Sequence, residues 1–343
     1  MLIFYALLFV LLLVGAKVET QCSDALDRDR TNAIKGVCIF LVFCRHIAGY
    51  LPVGCAATTG LDARIAGVFN RMSGQLIVVM FLFYSGYGIA KAISERGSDY
   101  LAAFPKRRIL NTLLNFDVAV LVFAGVSMLL GMNLTFCQIA KALLGWESVG
   151  NSNWYIFVIV LCYGAAWLSS TVMSMKVGDL GGGGALCSII VLCIGLILSF
   201  VKPEWWYNTI MAFPAGWLFL EYRGKIESYV CKHWRMVIAA LTLSLAFLVV
   251  KPPTGFMYNC AAVVFALWIV VLSMKIKVGN VVLLWMGTHL FPLYIYQRLP
   301  MIVLKRILGV QFVSAHVYFY IVLCAVATAV IASQYRRWQI RLG

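Results

Sequence analysis

The sequence predicts an all-α protein that crosses a membrane several times. Of its 343 residues, 63% are hydrophobic and only 12% are charged, whereas soluble domains carry about 25% charged residues. The apolar residues form long continuous runs, as membrane helices require. A transmembrane β-barrel would instead show segments of about ten residues with alternating hydrophobicity.

Eleven apolar runs are candidate spans. The first, Leu2–Ala16, is shorter than the ~20 residues of a typical span, and no basic segment precedes it. It is an additional N-terminal hydrophobic helix, an interfacial segment or an uncleaved signal-like element. The other ten predict a ten-helix core: Ala33–Val53, Met72–Ile93, Ile109–Gly131, Asn153–Met175, Gly184–Val201, Tyr207–Tyr222, Trp234–Val250, Tyr258–Met274, Gly279–Gln297 and His316–Ser333.

These runs divide the chain into two parts. Residues 1–30 form an N-terminal hydrophobic segment with a polar linker, and residues 31–343 form one membrane domain. The linker and the loops between runs are short, so we expect no separate soluble domain between the spans.

The charge distribution predicts orientation in the membrane. The net charge is +15, but the lysines and arginines are spread over short loops. If the Lys35 end of its span is cytoplasmic, 19 of the 28 basic residues lie inside and eight outside, with Arg45 within a span. This asymmetry follows the positive-inside rule. It predicts a multi-pass protein of the cell membrane with a cytoplasmic C-terminus and no nucleic-acid partner.

Common catalytic and metal-binding motifs are absent from the sequence. The eleven cysteines are scattered, mostly in apolar runs, without the Cys and His spacing of a zinc site. There is no GxSxG, HExxH or Walker A motif. We therefore expect no metal cofactor, and the chemistry must come from polar residues within the spans.

Lys35 and His46 are the first such residues. They stand eleven positions apart in an apolar run, which on an α-helix places them on one face about 16 Å apart. Ionisable groups inside a bilayer are costly and point to function. An imidazole also accepts a proton from a hydroxyl near neutral pH. Arg45 adds a third polar group and favours a polar cavity over a histidine that only bridges two helices.

The basic triplet Lys106-Arg107-Arg108 begins a later span. One interpretation is a topology anchor at the cytoplasmic boundary. The other is a phosphate clamp, because guanidinium groups bind phosphate oxygens in pairs.

Other polar positions are candidates for the lining of the same cavity. Their alternative roles are helix packing through small residues, an interfacial aromatic belt and helix capping. Asp117, within a span, is expected to pair with Arg45 or another buried donor. The candidates for substrate contact are Arg45, Ser85, Tyr87, Asn153, Trp154, Tyr155, His289 and Gln297.

Taken in order, these segments resemble the acyltransferase-3 family of integral membrane acyltransferases. The family carries a basic residue, ten intervening positions and a histidine, as at Lys35 and His46. It continues with SGY-like residues, a basic F-x-x-R-R segment, an S/N-x-W-[FY] element and a G-x-S-x-x-IYL-[HQ] element. These match Ser85–Tyr87, Phe104–Arg108, Ser152–Tyr155 and, loosely, Gly287–Gln297. The ordered set, rather than any one motif, carries the resemblance.

The resemblance implies a ten-helix acyltransferase core and transfer of an acetyl group from acetyl-CoA. The acceptor would be a sugar hydroxyl of a cell-surface polysaccharide or lipid-linked glycan. Lys35, Arg107 and Arg108 would hold the coenzyme A phosphates, and His46 would activate the hydroxyl or pass on the acyl group. A transporter or flippase for a glycan or small anion, with His46 relaying protons, is the alternative.

The sequence departs from the family pattern at three positions. Lys35 replaces an arginine, which keeps the charge but not the forked geometry. Asn111 stands where many members carry another arginine, and Gln297 stands at a position that is often histidine.

Overall fold

The computed structural model describes residues 1–177, 183–251 and 253–342, and this part of the chain is almost entirely helical. The α-helices are α1 (Leu2–Leu13), α2 (Arg28–Ala48), α3 (Gly60–Ser73), α4 (Leu76–Phe104), α5 (Asn111–Leu129), α6 (Phe136–Leu143), α7 (Trp154–Val177), α8 (Gly184–Val201), α9 (Ala212–Glu221), α10 (Arg223–Lys232), α11 (Trp234–Val250), α12 (Tyr258–Ser273), α13 (Val281–Thr288), α14 (Leu290–Tyr296), α15 (Arg298–Leu308), α16 (Val310–Ala315) and α17 (Val317–Gln334).

Shorter elements connect these helices. A π-helix, Pro105–Leu110, joins α4 to α5, and three single 3₁₀ turns occupy Glu204–Trp206, Gly255–Met257 and Tyr335–Arg337. Two short antiparallel strands, β1 (Lys17–Val18) and β2 (Ile276–Lys277), pair Lys17 with Lys277. They tie the linker after α1 to the segment after α12.

Within the described residues, six helical segments are long and apolar enough to cross a membrane. A seventh is added if α10 and α11, which meet at 101°, form one bent span. The all-helical, multi-pass architecture is thus confirmed. The six segments are Arg28–Ala48, Leu76–Leu129, Trp154–Met175, Gly184–Val201, Gly255–Ser273 and Val317–Arg337.

The predicted ten spans are not confirmed, because several apolar runs are merged or broken. The predicted spans Met72–Ile93 and Ile109–Gly131 lie in one 54-residue segment, bent at Gly97 where φ is +62°. The predicted span Gly279–Gln297 is split into α13 and α14 at His289, whose backbone leaves the helical region. Hydropathy does not reveal such breaks, since an apolar run stays apolar across a bend.

The crossing of α2 with α13 depends on two glycines. A Cβ atom added at Gly36 would overlap the carbonyl oxygen of Leu283, and one added at Gly287 would overlap that of Asn32. The two backbones therefore touch at both positions. Small residues permit this approach in lipid, where association depends on close packing rather than hydrophobicity.

The crossing of α4 with α9 repeats the arrangement. A Cβ atom at Gly86 would overlap the carbonyl oxygen of Phe213, and one at Gly216 would overlap that of Phe83. Gly86 belongs to the SGY-like segment, so its packing role, one of the two interpretations of that segment, is seen directly.

An ion-pair network holds the start of α2. Arg30, only 5% exposed, donates to Asp27 at 2.9 Å, to Glu19 at 2.6 Å and to the Ser273 carbonyl at 2.6 Å. Asp27 caps the helix by accepting from backbone amides of its first turn. The Arg30 guanidinium also holds the pKa of the Glu19 carboxyl below its usual range. The network connects α2 to the linker and to α12.

We expect Gly86→Ala to destabilise the protein by about 1–3 kcal/mol, because the added methyl group must separate α4 from α9. Gly88→Ala is the matched control, since a Cβ atom there meets nothing within 4 Å. Thermal unfolding in detergent should show a lower Tm for the first variant and an unchanged or higher Tm for the second. Equal Tm values for both variants would contradict the close crossing.

Candidate functional site

Lys35 and His46 lie on one unbroken helix, α2. Helix geometry places the two residues about 16 Å apart along the axis and roughly 20° apart around it. Between them, Ile39 and Val42 are each 2% exposed and packed in the core. The helix face between the two polar residues is therefore closed and apolar, and α2 alone provides no polar route from one to the other.

Lys35 is a cation without a counter-ion among the described residues. Its Nζ lies 5.6 Å from the centre of the Tyr84 ring, and none of the ion pairs in the described chain includes it. The ring face attracts a cation but does not neutralise it. The position thus suits an anionic ligand.

His46 presents an imidazole with an unused nitrogen. Within the described chain its Nδ1 is buried and has no hydrogen-bond partner. Its ring centre lies 6.5 Å from that of Tyr294, on α14. Leaving a buried polar atom unpaired costs free energy, and such atoms often mark a ligand site.

Other buried polar atoms without a partner in the described chain lie on residues that connect to His46 through Tyr294, and we call these residues the His46 cluster. Besides His46 Nδ1, they are Asn151 Nδ2, Ser152 Oγ, Tyr294 Oη and Gln297 Oε1. Ser152 neighbours the Tyr294 phenol, and Gln297 donates through Nε2 to the Tyr294 carbonyl at 3.1 Å. These five atoms are half of the ten buried side-chain atoms without a partner in the described residues.

Arg298 binds the cluster to the end of α2. It donates through Nε to the Tyr50 hydroxyl at 2.9 Å and through Nη1 to the Asn151 carbonyl at 3.1 Å. Arg298 is one of the eight basic residues that the charge count places outside, and no sequence motif predicts a role for it at the site. The available signal was its place directly after Gln297, at the end of an apolar run.

Three buried tyrosines lie near these two residues, Tyr84 beside Lys35 and Tyr155 and Tyr294 on the side of His46, and we call them the tyrosine line. Tyr84 lies under Lys35, and its neighbour in sequence, Ser85, lies beside the Tyr155 phenol. The Tyr155 and Tyr294 ring centres are 5.3 Å apart, and Tyr294 faces His46. Phenol groups therefore lie at both ends of the closed face of α2.

One residue of the basic triplet, Arg108, lies close to the tyrosine line. Arg108, on the π-helix, donates to the Tyr100 hydroxyl at 3.0 Å and lies near Tyr163. Tyr163 approaches Ser85, which also neighbours Tyr155. Arg107 is exposed. Of the two predicted clamp arginines, Arg108 is therefore the one in contact with the site.

Arg45 does not join its neighbour His46. It is exposed and donates to the Asn70 carbonyl at 3.2 Å. The expected pairing with Asp117 does not form, because Asp117 Oδ1 has no partner within the described chain. Adjacent residues on a helix point about 100° apart, so Arg45 faces α3 and not the site.

Tyr87 and His289 are also engaged elsewhere. The Tyr87 hydroxyl accepts from Arg223 at 2.8 Å. The His289 ring stacks on Trp285, with ring centres 4.8 Å apart, and its Nδ1 lies 2.9 Å from the Trp285 carbonyl.

Asn153 and Trp154 support the site rather than line it. Asn153 donates to the Gly145 carbonyl at 2.8 Å and so braces the turn before α7. The Trp154 ring packs edge-on against Tyr155, with centres 5.9 Å apart.

One comparison with known proteins found a match. A family model described as an acyltransferase domain, Acyl_transf_3, matches residues 28–334. The match begins with α2 and contains Lys35, His46, the tyrosine line and Arg298. Searches of curated proteins and of solved structures found no match to the chain.

We expect Lys35→Met to leave Tm unchanged or raise it, because the substitution removes a half-buried cation that has no counter-ion in the described chain. Arg30→Met is the matched comparison. It leaves the Ser273 carbonyl without its donor, at a cost of about 1–3 kcal/mol. Thermal unfolding in detergent measures both variants. A Tm that falls as far for Lys35→Met as for Arg30→Met would show that Lys35 is structural.

Proposed function

The chain belongs to the acyltransferase-3 family, and we propose that it is a membrane O-acetyltransferase. In this proposal it moves an acetyl group from acetyl-CoA to a hydroxyl of a cell-surface polysaccharide or lipid-linked glycan. The family establishes a multi-pass membrane acyltransferase. The donor, the acceptor and the O-acetyl specificity are our proposals.

The observation that carries the proposal is that buried tyrosines lie beside both a cation without a counter-ion in the described chain and an imidazole with an unpaired nitrogen. Lys35 stands at one end beside Tyr84, and His46 stands at the other beside Tyr294. An acyl transfer from a coenzyme A ester needs both: a cation for phosphate and a base for the hydroxyl.

Lys35, Arg107 and Arg108 form the proposed donor end. Lys35 and Arg107 have no carboxylate partner in the described chain, and Arg108 bonds a neutral phenol. Their charges remain available for the phosphates of coenzyme A. The positive-inside count supports a cytoplasmic location for this end and for the C-terminus. The flexible pantetheine arm would then follow the tyrosine line toward His46.

In the proposed reaction His46 accepts the proton of the acceptor hydroxyl as its oxygen attacks the thioester carbonyl. A carbon–oxygen bond forms and the carbon–sulfur bond breaks. The thiolate of coenzyme A leaves and takes the proton from the imidazolium. Asn151 Nδ2 and the Tyr294 hydroxyl, both unpaired donors, are the groups that would stabilise negative charge on the carbonyl oxygen.

His46→Ala should abolish transfer of labelled acetyl from acetyl-CoA, a loss of at least ~100-fold, because general-base catalysis contributes about that much or more. Binding of coenzyme A to the same variant should remain, since the phosphates are held at the other end of the line. Labelled acetyl transfer and equilibrium binding by purified protein in detergent measure the two effects.

If the protein is a transporter instead, the same variant gives a different result. If the wild-type protein never transfers acetyl but moves a glycan across proteoliposomes, and His46→Ala stops that movement, the enzyme proposal is wrong.

Arg108→Ala and Arg107→Ala should each weaken coenzyme A binding, by about tenfold where a charge-assisted phosphate contact is lost. Lys91→Ala is the control, because Lys91 is exposed and pairs with Glu95 at 3.8 Å. Isothermal titration with coenzyme A measures the affinities. Unchanged affinity in both arginine variants would reduce the triplet to a topology anchor.

A further inference from the structure

A surface pocket of about 530 Å³ opens at the end of α2 remote from Lys35. Its wall includes Tyr50, which follows the last turn of α2, and Ile302, Lys305 and Arg306 from α15. The pocket is separate from the donor residues. Tyr50, in its wall, is four positions beyond His46 along the chain.

The pocket and the His46 cluster share a wall. The Tyr50 hydroxyl accepts from Arg298, and Arg298 donates to the Asn151 carbonyl. Asn151 belongs to the cluster, is fully buried and has an unpaired Nδ2. Ile302, one helical turn beyond Arg298, packs against Gly150. A molecule seated in the pocket would therefore contact Tyr50 and Ile302, which connect through Arg298 and Gly150 to the neighbourhood of the unpaired Asn151 amide.

The charge at this wall is positive and uncompensated. Arg298, Lys305 and Arg306 have no carboxylate partner in the described part of the chain. Two acidic residues on adjoining segments, Asp62 beside α17 and Glu147 four positions before Asn151, have other partners. Asp62 accepts from Tyr318 at 2.7 Å, and Glu147 pairs with Lys141 at 3.0 Å. Three cations beside one aromatic ring suit a sugar that carries a negative group.

We propose that this pocket binds the acceptor, and that the acceptor is an anionic saccharide with a carboxylate or phosphate substituent. Lys305 and Arg306 bind the negative group, and Tyr50 packs against the sugar. A hydroxyl of the same or the next sugar then reaches the His46 cluster. This assignment rests on the proposed acyltransferase function and adds the substrate class and the face from which it enters.

A bilayer lipid is the competing ligand for these cations. Lys305 and Arg306 lie in the last turn of α15, where basic side chains commonly reach lipid phosphates. A lipid headgroup alone does not account for the connection from Tyr50 through Arg298 to the unpaired Asn151 amide. That connection favours a ligand that extends inward from the surface.

The test is direct binding of galacturonic acid tetramer to purified protein in detergent, without acetyl-CoA. Its fully methyl-esterified form is the uncharged control, and glucose 1-phosphate against glucose tests the phosphate substituent. Wild-type protein should bind at least one of the two charged sugars at least ~10-fold more tightly than its neutral counterpart, the effect of about one charge-assisted contact.

The double variant Lys305→Ala/Arg306→Ala should lose that preference and keep the wild-type Tm. Arg64→Ala is the matched control, because Arg64 is an exposed cation on α3 that does not line the pocket, and it should bind as wild type does.

Three results overturn the assignment. They are equal binding of charged and neutral sugars, an unchanged preference in the double variant, and a double variant that loses only its association with phosphatidylglycerol vesicles. The last result assigns the cations to lipid. The binding assay contains no acetyl-CoA and is independent of the separate acetyl-transfer assay. A protein that binds the charged sugar but fails the transfer assay would leave the pocket assignment intact and contradict only the proposed function.

Discussion

The contact between α2 and α13 is the interaction on which the rest of the site depends. Gly36 and Gly287 let the two backbones touch, and α13 leads directly into α14, which carries Tyr294. A wider separation would move Tyr294, and Gln297 with it, away from His46. Hydrophobicity does not drive helices together in lipid, so the association of α2 with α13 depends on steric fit at these two glycines.

The second constraint is whether a positive charge on α2 has a counter-ion. Arg30 is buried but has two carboxylates and a carbonyl as partners, so it anchors the helix. Lys35, little more than one turn further along, lies over a tyrosine ring and has no counter-ion among the described residues. Two cations on one helix thus have opposite roles, because one is compensated and the other is not. An uncompensated charge is tolerated where a ligand supplies the opposite sign.

The predicted site residues fall into two groups, according to whether their polar groups lie at the site or have partners elsewhere. His46, Tyr155 and Gln297 come together with Tyr294, and Ser85 and Arg108 reach the same line of phenols. Arg45, Tyr87 and His289 are engaged by Asn70, Arg223 and Trp285. The sequence pattern did not distinguish these groups, because a polar residue in an apolar run has the same appearance whether a neighbour satisfies it or not. Tyr84, Asn151 and Arg298 were missed because each gains its role from a partner distant in sequence.

The sequence by itself determined the membrane class, the helical content and the placement of Lys35 and His46 on one face. Those properties follow from composition and from the 3.6-residue period of a single helix, which are local. Only the tertiary structure decided where apolar runs bend and that the face between the two residues is closed. It also decided that tyrosines from three other helices lie beside them. These outcomes depend on contacts between segments far apart in the chain, and steric fit and hydrogen-bond satisfaction select such contacts only after the helices have packed.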